Sequence, residues 1–146
     1  MKAIVDTSVW SLALRRGQQS NEPYVALFRD LIVDGRVVLL GAIRQELLSG
    51  IRHAEQFERL KNYLRAFSNL DLVIDDYELA AEFYNTCRRQ GIQGANTDFL
   101  ICAAAARRHY IILTGSNGFP VVTTTCCVSS HSKQVIAFQI QPQALE

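Results

Sequence analysis

The chain has 146 residues and a formal net charge of +1, with 15 lysines and arginines against 14 aspartates and glutamates. Its length and its 49% of apolar residues fit one globular domain with a real core and exclude a disordered chain. Because the charges balance, bulk charge does not indicate a nucleic-acid partner, and any basic surface must be local.

The apolar stretches predict neither a membrane span nor a signal peptide. The longest is too short to cross a bilayer, and no signal peptide is visible. Cys87 and Cys102 fall in predicted helices, where a buried reduced thiol is expected. Cys126 and Cys127 are adjacent, a spacing unsuited to structural zinc. We therefore expect a cytoplasmic protein in a reducing compartment.

The first half of the chain alternates between apolar runs and helical patterns. Apolar residues at helical spacing and turn signals such as Asp34-Gly35 separate the segments. The predicted elements are a strand at 3–6, helices at 8–16 and about 23–32, a strand at 37–40, and helices at 42–51 and 54–67.

The second half continues this alternation up to Phe119. Predicted there are a strand at 72–74, a helix from 75 to 87, a helix from 98 to 108 and a strand at 111–114. Beyond Phe119 the pattern changes, although 135–140 can form an edge strand. We expect a domain over 1–119 and an atypical C-terminal segment over 120–146 that either completes the sheet edge or is disordered.

These elements define an α/β class. Strands that are apolar on both faces and alternate with helices favour a mostly parallel central sheet flanked by helices. In such sheets the functional site lies outside the carboxyl ends of the strands. Asp6 stands at one such end, and Ser116 and Asn117 follow another.

Three acidic residues are the candidate catalytic and metal-binding groups. Asp6 closes the run Ala3-Ile4-Val5, Glu46 follows the run 37–40, and Asp98 opens an alanine-rich helix. Carboxylates that are scattered in sequence but converge in space suit Mg²⁺ or Mn²⁺, which take oxygen ligands. The pattern predicts a metal-dependent phosphodiester enzyme.

Each of these residues also has a structural interpretation. Taken alone, Asp98 fits the first turn of a helix, where its charge complements the helix dipole, and Glu46 fits an exposed helix position. Asp6 is harder to explain structurally, because a carboxylate at the end of a buried strand is costly without a partner. Asp75 and Asp76 are interpreted as capping residues.

Residues 2 to about 114 resemble the PIN-domain ribonucleases, and among them the VapC-type toxins of bacterial type II toxin–antitoxin pairs. The resemblance implies a Rossmann-like fold, Mg²⁺- or Mn²⁺-dependent RNA cleavage, a homodimer and a VapB-type antitoxin partner that covers the site. It assigns Asp6, Glu46 and Asp98 as metal ligands and Ser8 as the residue that holds the carboxylates by hydrogen bonding. The segments that carry it are Ile4 to Trp10, Gln45 to Gly50, Asp76 to Gly91 and Thr97 to Ile101.

The chain departs from the family after its last core strand. The family usually places further aspartates there, whereas this chain has Ser116, Asn117 and Gly118 after Thr114-Gly115. We assign Ser116 and Asn117 as supporting residues. A site with fewer carboxylates attracts a second cation less strongly. An alternative is therefore a catalytically impaired relative that binds RNA or an antitoxin without cleavage, and a third is a metal-dependent nuclease or phosphatase of another class.

The C-terminal segment also differs from the family's usual ending. Residues 121–127 can be encoded by codons that, read in another frame, give Gly-Tyr-His-His-Leu-Leu, which is closer to that ending. We hypothesise that this segment derives from a frameshift, which the nucleotide sequence tests.

Two further groups of residues have a structural and a functional interpretation. One set of arginines is expected on solvated helix faces, with a subset contacting RNA phosphates: Arg15, Arg16, Arg44, Arg52, Arg107 and Arg108. One set of apolar residues is expected in the core, or else on an antitoxin groove or dimer face: Trp10, Leu12, Leu14, Phe57 and Leu60.

Overall fold

The computed structural model describes residues 1–16, 23–115 and 137–139. Strands and helices alternate along these segments as the sequence predicts. The elements are β1 (Ala3–Val5), α1 (Thr7–Arg16), α2 (Pro23–Val33), β2 (Val37–Leu40), α3 (Gly41–Leu48), α4 (Ala54–Leu64), β3 (Ser68–Leu70), α5 (Ile74–Arg89), α6 (Asn96–Arg108), β4 (Ile111–Thr114) and β5 (Ala137–Gln139).

The strands form one sheet in the order β3-β2-β1-β4-β5, and every neighbouring pair is parallel. β1 is the central strand, with Ala3 opposite Val37 on one side and Ile111 on the other. The predicted α/β class with a parallel sheet flanked by helices is confirmed. The edge strand expected within 135–140 is present as β5, beside β4.

The core lies on both faces of the sheet. Every residue of β1, β2 and β4 is buried, as expected for parallel strands covered by helices. Trp10 of α1 is fully buried and meets Phe28 and Phe67 edge to face, with ring centroids 4.6 and 5.0 Å apart. In α6 the residues 101–106 are all buried, and most of them are alanines. Small side chains let this helix pack closely against its neighbours.

Both predicted buried thiols are found. Cys87 on α5 and Cys102 on α6 are buried, reduced thiols. Cys126 and Cys127 lie outside the described residues.

A buried ion-pair cluster joins the start of α5 to the end of α6. The Asp76 carboxylate is fully buried and accepts hydrogen bonds from Arg108 at 2.6 and 2.8 Å and from Arg107 at 2.8 Å. Asp76 also accepts from the backbone N–H of Val73 at 2.8 Å. The capping role predicted for Asp76 is thus confirmed, and Asp75 lies exposed in the same first turn.

The expectation of a solvated helix face is confirmed for Arg107, which is exposed, whereas Arg108 is partly buried. Both also pair with Asp76, because a buried carboxylate needs charged partners. Hydrogen bonds from Arg108 lower the pKa of Asp76 well below the usual carboxyl range, against the opposing effect of burial. Of the other arginines, Arg15 and Arg52 are exposed and Arg44 is partly buried.

The strand predicted at 72–74 is also wrong. The strand of this region is β3 at Ser68–Leu70, and Ile74 already begins α5. Within the described residues β3 pairs only with β2, at the sheet edge, so it can be polar. Ser68 and Asn69 are exposed. The helix predicted to reach residue 67 ends at Leu64.

None of the helices within the described residues is long and apolar enough to cross a membrane.

Candidate metal site at the carboxyl edge of the sheet

The candidate site is built where the strand order reverses. β2 and β3 lie on one side of β1, and β4 lies on its other side. Asp6 directly follows β1 and is bonded across this boundary: its backbone N–H donates to Leu113 O at 2.9 Å, and its side-chain Oδ2 accepts from Thr114 Oγ1 at 3.1 Å. Such a switch point is where open α/β sheets bind ligands.

Asp6 is buried and held by hydroxyl groups. Its Oδ2 accepts a second hydrogen bond from Ser8 Oγ at 2.7 Å. Ser8 Oγ in turn accepts from the backbone N–H of Gly115 at 3.2 Å. The ends of β1 and β4 are therefore tied together through one carboxylate, whose orientation is fixed.

Glu46 lies on α3 and is exposed, yet both of its oxygens are engaged. Oε2 accepts from Thr7 Oγ1 at 2.6 Å, and Oε1 accepts from Thr97 Oγ1 at 2.7 Å. Thr7 begins α1 and Thr97 lies in the first turn of α6. Three helices thus meet at this one carboxylate.

Asp98 lies in the first turn of α6 and is half-buried. Its Oδ2 accepts from the backbone N–H of Ala95 at 3.0 Å, so the capping role predicted for a first-turn aspartate is present. Burial raises the pKa of Asp98 above its usual value, and the negative charges of Asp6 and Glu46 raise it further, against the lowering effect of the Ala95 hydrogen bond. The helix-capping interpretation of Asp98 is therefore confirmed, and its role as a metal ligand stays a prediction.

The carboxylate oxygens at this edge of the sheet are the kind of ligand that a hydrated divalent cation prefers. Asp6 and Asp98 each use only Oδ2 for hydrogen bonds within the described residues, which leaves an oxygen on each for a hard cation. As the side chains stand, the described residues contain no group of three or more His, Cys, Asp or Glu spaced to hold one ion together.

The structure adds residues that the sequence did not single out. Thr7, Thr97 and Thr114 each donate to a candidate carboxylate. Their positions in the sequence were the signal that could have found them: Thr7 follows Asp6, Thr97 precedes Asp98, and Thr114 ends an apolar strand. The supporting residues predicted at Ser116 and Asn117 lie outside the described residues.

A family model for the PIN domain matches residues 3–123. The match spans most of the chain, and the chain therefore belongs to the PIN-domain family. The family predicted from Asp6, Glu46 and Asp98 and their flanking segments is confirmed. None of the curated proteins compared with the chain matches it.

Solved structures share this fold. The chain is similar to a chain in the crystal structure of FitAcB from Neisseria gonorrhoeae, with a TM-score of 0.64 and 22% identity over 84% of this chain and 93% of that one. It is also similar to a chain of VapBC2 from Rickettsia felis, bound to a DNA fragment from its promoter, with a TM-score of 0.68 and 17% identity over 84% and 93%. A third is a toxin–antitoxin complex from Klebsiella pneumoniae, with a TM-score of 0.57 and 17% identity over 79% and 87%.

Proposed function

We propose that this protein is a metal-dependent endoribonuclease, the VapC-type toxin of a toxin–antitoxin pair, which hydrolyses RNA phosphodiester bonds with Mg²⁺ or Mn²⁺. The observation that carries the proposal is the grouping of three carboxylates at the carboxyl edge of the sheet. Thr7, which follows Asp6, and Thr97, which precedes Asp98, both donate hydrogen bonds to Glu46. Burial raises the pKa of Asp98, and the charges of Asp6 and Glu46 raise it further; a bound cation would offset that repulsion.

The proposed chemistry needs no covalent intermediate. When bound, the ion lowers the pKa of a coordinated water and stabilises negative charge on the scissile phosphate. Asp6 and Asp98 would hold the ion through their available oxygens. Ser8 and Thr114 keep Asp6 in one orientation, and the cap at Ala95 keeps Asp98 in place.

A cleavage assay tests the activity. RNA incubated with the protein and Mn²⁺ is expected to be cut into fragments, EDTA is expected to stop cleavage, and Asp6→Asn is expected to abolish it. Asp30→Asn makes the same chemical change on the exposed side of α2 and is expected to retain full activity. Hydrolysis of a small phosphoester with intact RNA would instead indicate a phosphatase.

The proposed partner is a small antitoxin protein that covers the site. Support comes from the structural likeness to a toxin–antitoxin complex and from an exposed apolar patch. Leu14 and Tyr63 are 40% and 47% exposed and line two adjoining depressions. Val33, which is 85% exposed, borders the first of them. Exposed apolar clusters of this kind mark protein interaction sites.

A homodimer is the proposed assembly. A second apolar surface lies at the start of α5, where Val73, Ile74 and Tyr77 are all exposed. An adjoining depression between α5 and α6 is lined by Tyr77, Tyr84 and Phe99, among others. This surface shares no residue with the patch at Leu14 and Tyr63, so the proposed dimer and antitoxin contacts use different residues.

The second candidate function is a PIN-domain relative that binds RNA or an antitoxin without cutting. The observation that favours it is the sequence after Thr114, where Ser116 and Gly118 stand in place of acidic residues. Mn²⁺ binding and RNA binding without any cleavage would support this candidate over the nuclease.

A further inference from the structure

We infer that Thr7 and Thr97 are positioning residues that hold Glu46 as a carboxylate acting through water, rather than as a direct ligand of the metal ion. The inference rests on the proposed function and assigns different roles to the three carboxylates. Asp6 and Asp98 would contact the cation, and Glu46 would orient a water molecule in its coordination shell.

The hydrogen bonds of Glu46 carry the inference. Thr7 donates to one oxygen at 2.6 Å and Thr97 donates to the other at 2.7 Å. Hydrogen bonds to a carboxylate are roughly twice as strong as those between neutral groups. Direct ligation of a metal would have to use the remaining lone pair of an oxygen that already accepts a threonine hydroxyl.

Asp6 and Asp98 differ from Glu46 in this respect. Each accepts hydrogen bonds at Oδ2 alone from the described residues, so Oδ1 can take a cation without breaking a contact. Burial separates them as well, because Asp6 is buried and Asp98 half-buried whereas Glu46 is exposed. Mg²⁺ usually keeps several waters and takes only one or two carboxylates from the protein, which matches two inner carboxylates and one outer.

Thr97 and Thr7 connect Glu46 to the other two carboxylates. Thr97 immediately precedes Asp98 in the first turn of α6, and it reaches across to α3. Thr7 immediately follows Asp6 and reaches the same side chain from α1. Each of the proposed inner ligands thus has a neighbouring threonine that holds Glu46, so the spacing of all three carboxylates is set together.

Mn²⁺ affinity tests which carboxylates bind the ion directly and which act through water. Dissociation constants are measured by titration calorimetry for the wild type, Asp98→Asn and Glu46→Gln, with Glu82→Gln on the exposed face of α5 as the matched control. Loss of a direct ligand is expected to weaken binding at least about tenfold more than loss of a residue acting through water. Thermal unfolding of each variant verifies that it is folded.

The threonines are tested by kinetics together with affinity. Thr97→Val is expected to lower kcat for RNA cleavage about tenfold, at the lower end of what an outer partner of a metal site costs. The KM for RNA and the Kd for Mn²⁺ are expected to stay unchanged. Thr97→Ser keeps the hydroxyl and is expected to restore kcat, which a merely structural role would not require. Thr7→Val is expected to behave like Thr97→Val.

Two results would overturn the inference while leaving the proposed function intact. One is an equal loss of Mn²⁺ affinity in Glu46→Gln and Asp98→Asn, which would make Glu46 a direct ligand. The other is an unchanged kcat in Thr97→Val. A wild-type protein that neither binds Mn²⁺ nor cuts RNA would instead overturn the proposed function, and the role of Glu46 with it.

Discussion

The Thr114 hydroxyl donates a hydrogen bond to the Asp6 carboxylate at 3.1 Å, although the two residues are 108 positions apart. Asp6 leaves β1 and Thr114 ends β4, so this contact closes the boundary at which the strand order reverses. Thr114 is buried within the described sheet. The fold thereby turns a carboxylate at the end of a strand into a group of fixed orientation.

Thr114→Val removes this hydroxyl with little change of shape. We expect the Mn²⁺ dissociation constant to rise about tenfold, as for other outer partners of metal ligands, and the free energy of unfolding to fall by about 1 kcal/mol. Calorimetric titration and urea unfolding measure the two quantities. Thr114→Ser is the control and is expected to keep wild-type affinity; unchanged affinity in Thr114→Val would show that the hydroxyl does not orient Asp6.

Asp76→Asn tests the ion-pair cluster of α5 and α6. Removing the buried charge takes away the carboxylate that Arg107 and Arg108 share, although Arg107 keeps its contact with the exposed Asp75 at 3.5 Å. We expect the free energy of unfolding at pH 7 to fall by about 3 kcal/mol. Because folding lowers the pKa of Asp76, its contribution is full above about pH 4, the ordinary carboxyl range, and is lost as the pH falls further. The difference in stability between wild type and variant should therefore shrink on acidification.

Urea unfolding of both proteins between pH 7 and pH 3 measures this difference. Asp71→Asn, an exposed carboxylate nearby, is the control and is expected to change stability little. A difference between wild type and Asp76→Asn that stays constant down to pH 3 would contradict the assigned role.

Leu14→Asp tests the apolar patch proposed for the antitoxin. The protein is co-expressed with a candidate antitoxin, a small protein encoded by a gene adjacent to its own, and the Kd of the complex is measured by titration. A charge in the patch is expected to cost at least about 2 kcal/mol of binding, the size of a hot-spot loss. Ile74→Glu changes a different exposed apolar site and is expected to bind the antitoxin normally. Equal binding by Leu14→Asp would place the antitoxin elsewhere.

Ile74→Glu tests the surface proposed for the homodimer. Ile74 is 74% exposed at the start of α5, where a charge costs the folded monomer little but opposes burial against a second copy. Sedimentation or light scattering is expected to give a dimer for the wild type and Leu14→Asp, and a monomer for Ile74→Glu. A wild-type monomer, or a dimeric variant, would refute this surface.

The fold was largely predictable where burial leaves one interpretation. The apolar runs 37–40 and 111–114 match β2 and β4 residue for residue, because strands covered on both faces must be apolar throughout. The strand predicted at 72–74 failed for the converse reason. That apolar run starts a helix with Val73 and Ile74 exposed, while the true strand is polar and lies at an edge.

The site was predictable in its carboxylates but not in their contacts. Strand ends and helix starts locate Asp6 and Asp98, since the topology alone brings such positions to one edge. The hydrogen bonds from Thr7 and Thr97 to Glu46 depend on how three helices pack together. No local sequence pattern predicts that packing. The partner of Arg107 and Arg108 was missed in the same way, because Asp76 lies 31 and 32 positions earlier in the chain.

The most direct test of the central claim is titration of Mn²⁺ into wild type, Asp6→Asn and Asp30→Asn, followed by RNA cleavage on the same samples. We predict saturable binding with cleavage in the wild type and in Asp30→Asn, and loss of both in Asp6→Asn. A folded wild-type protein that neither binds Mn²⁺ nor cuts RNA would contradict a metal-dependent ribonuclease built on these carboxylates.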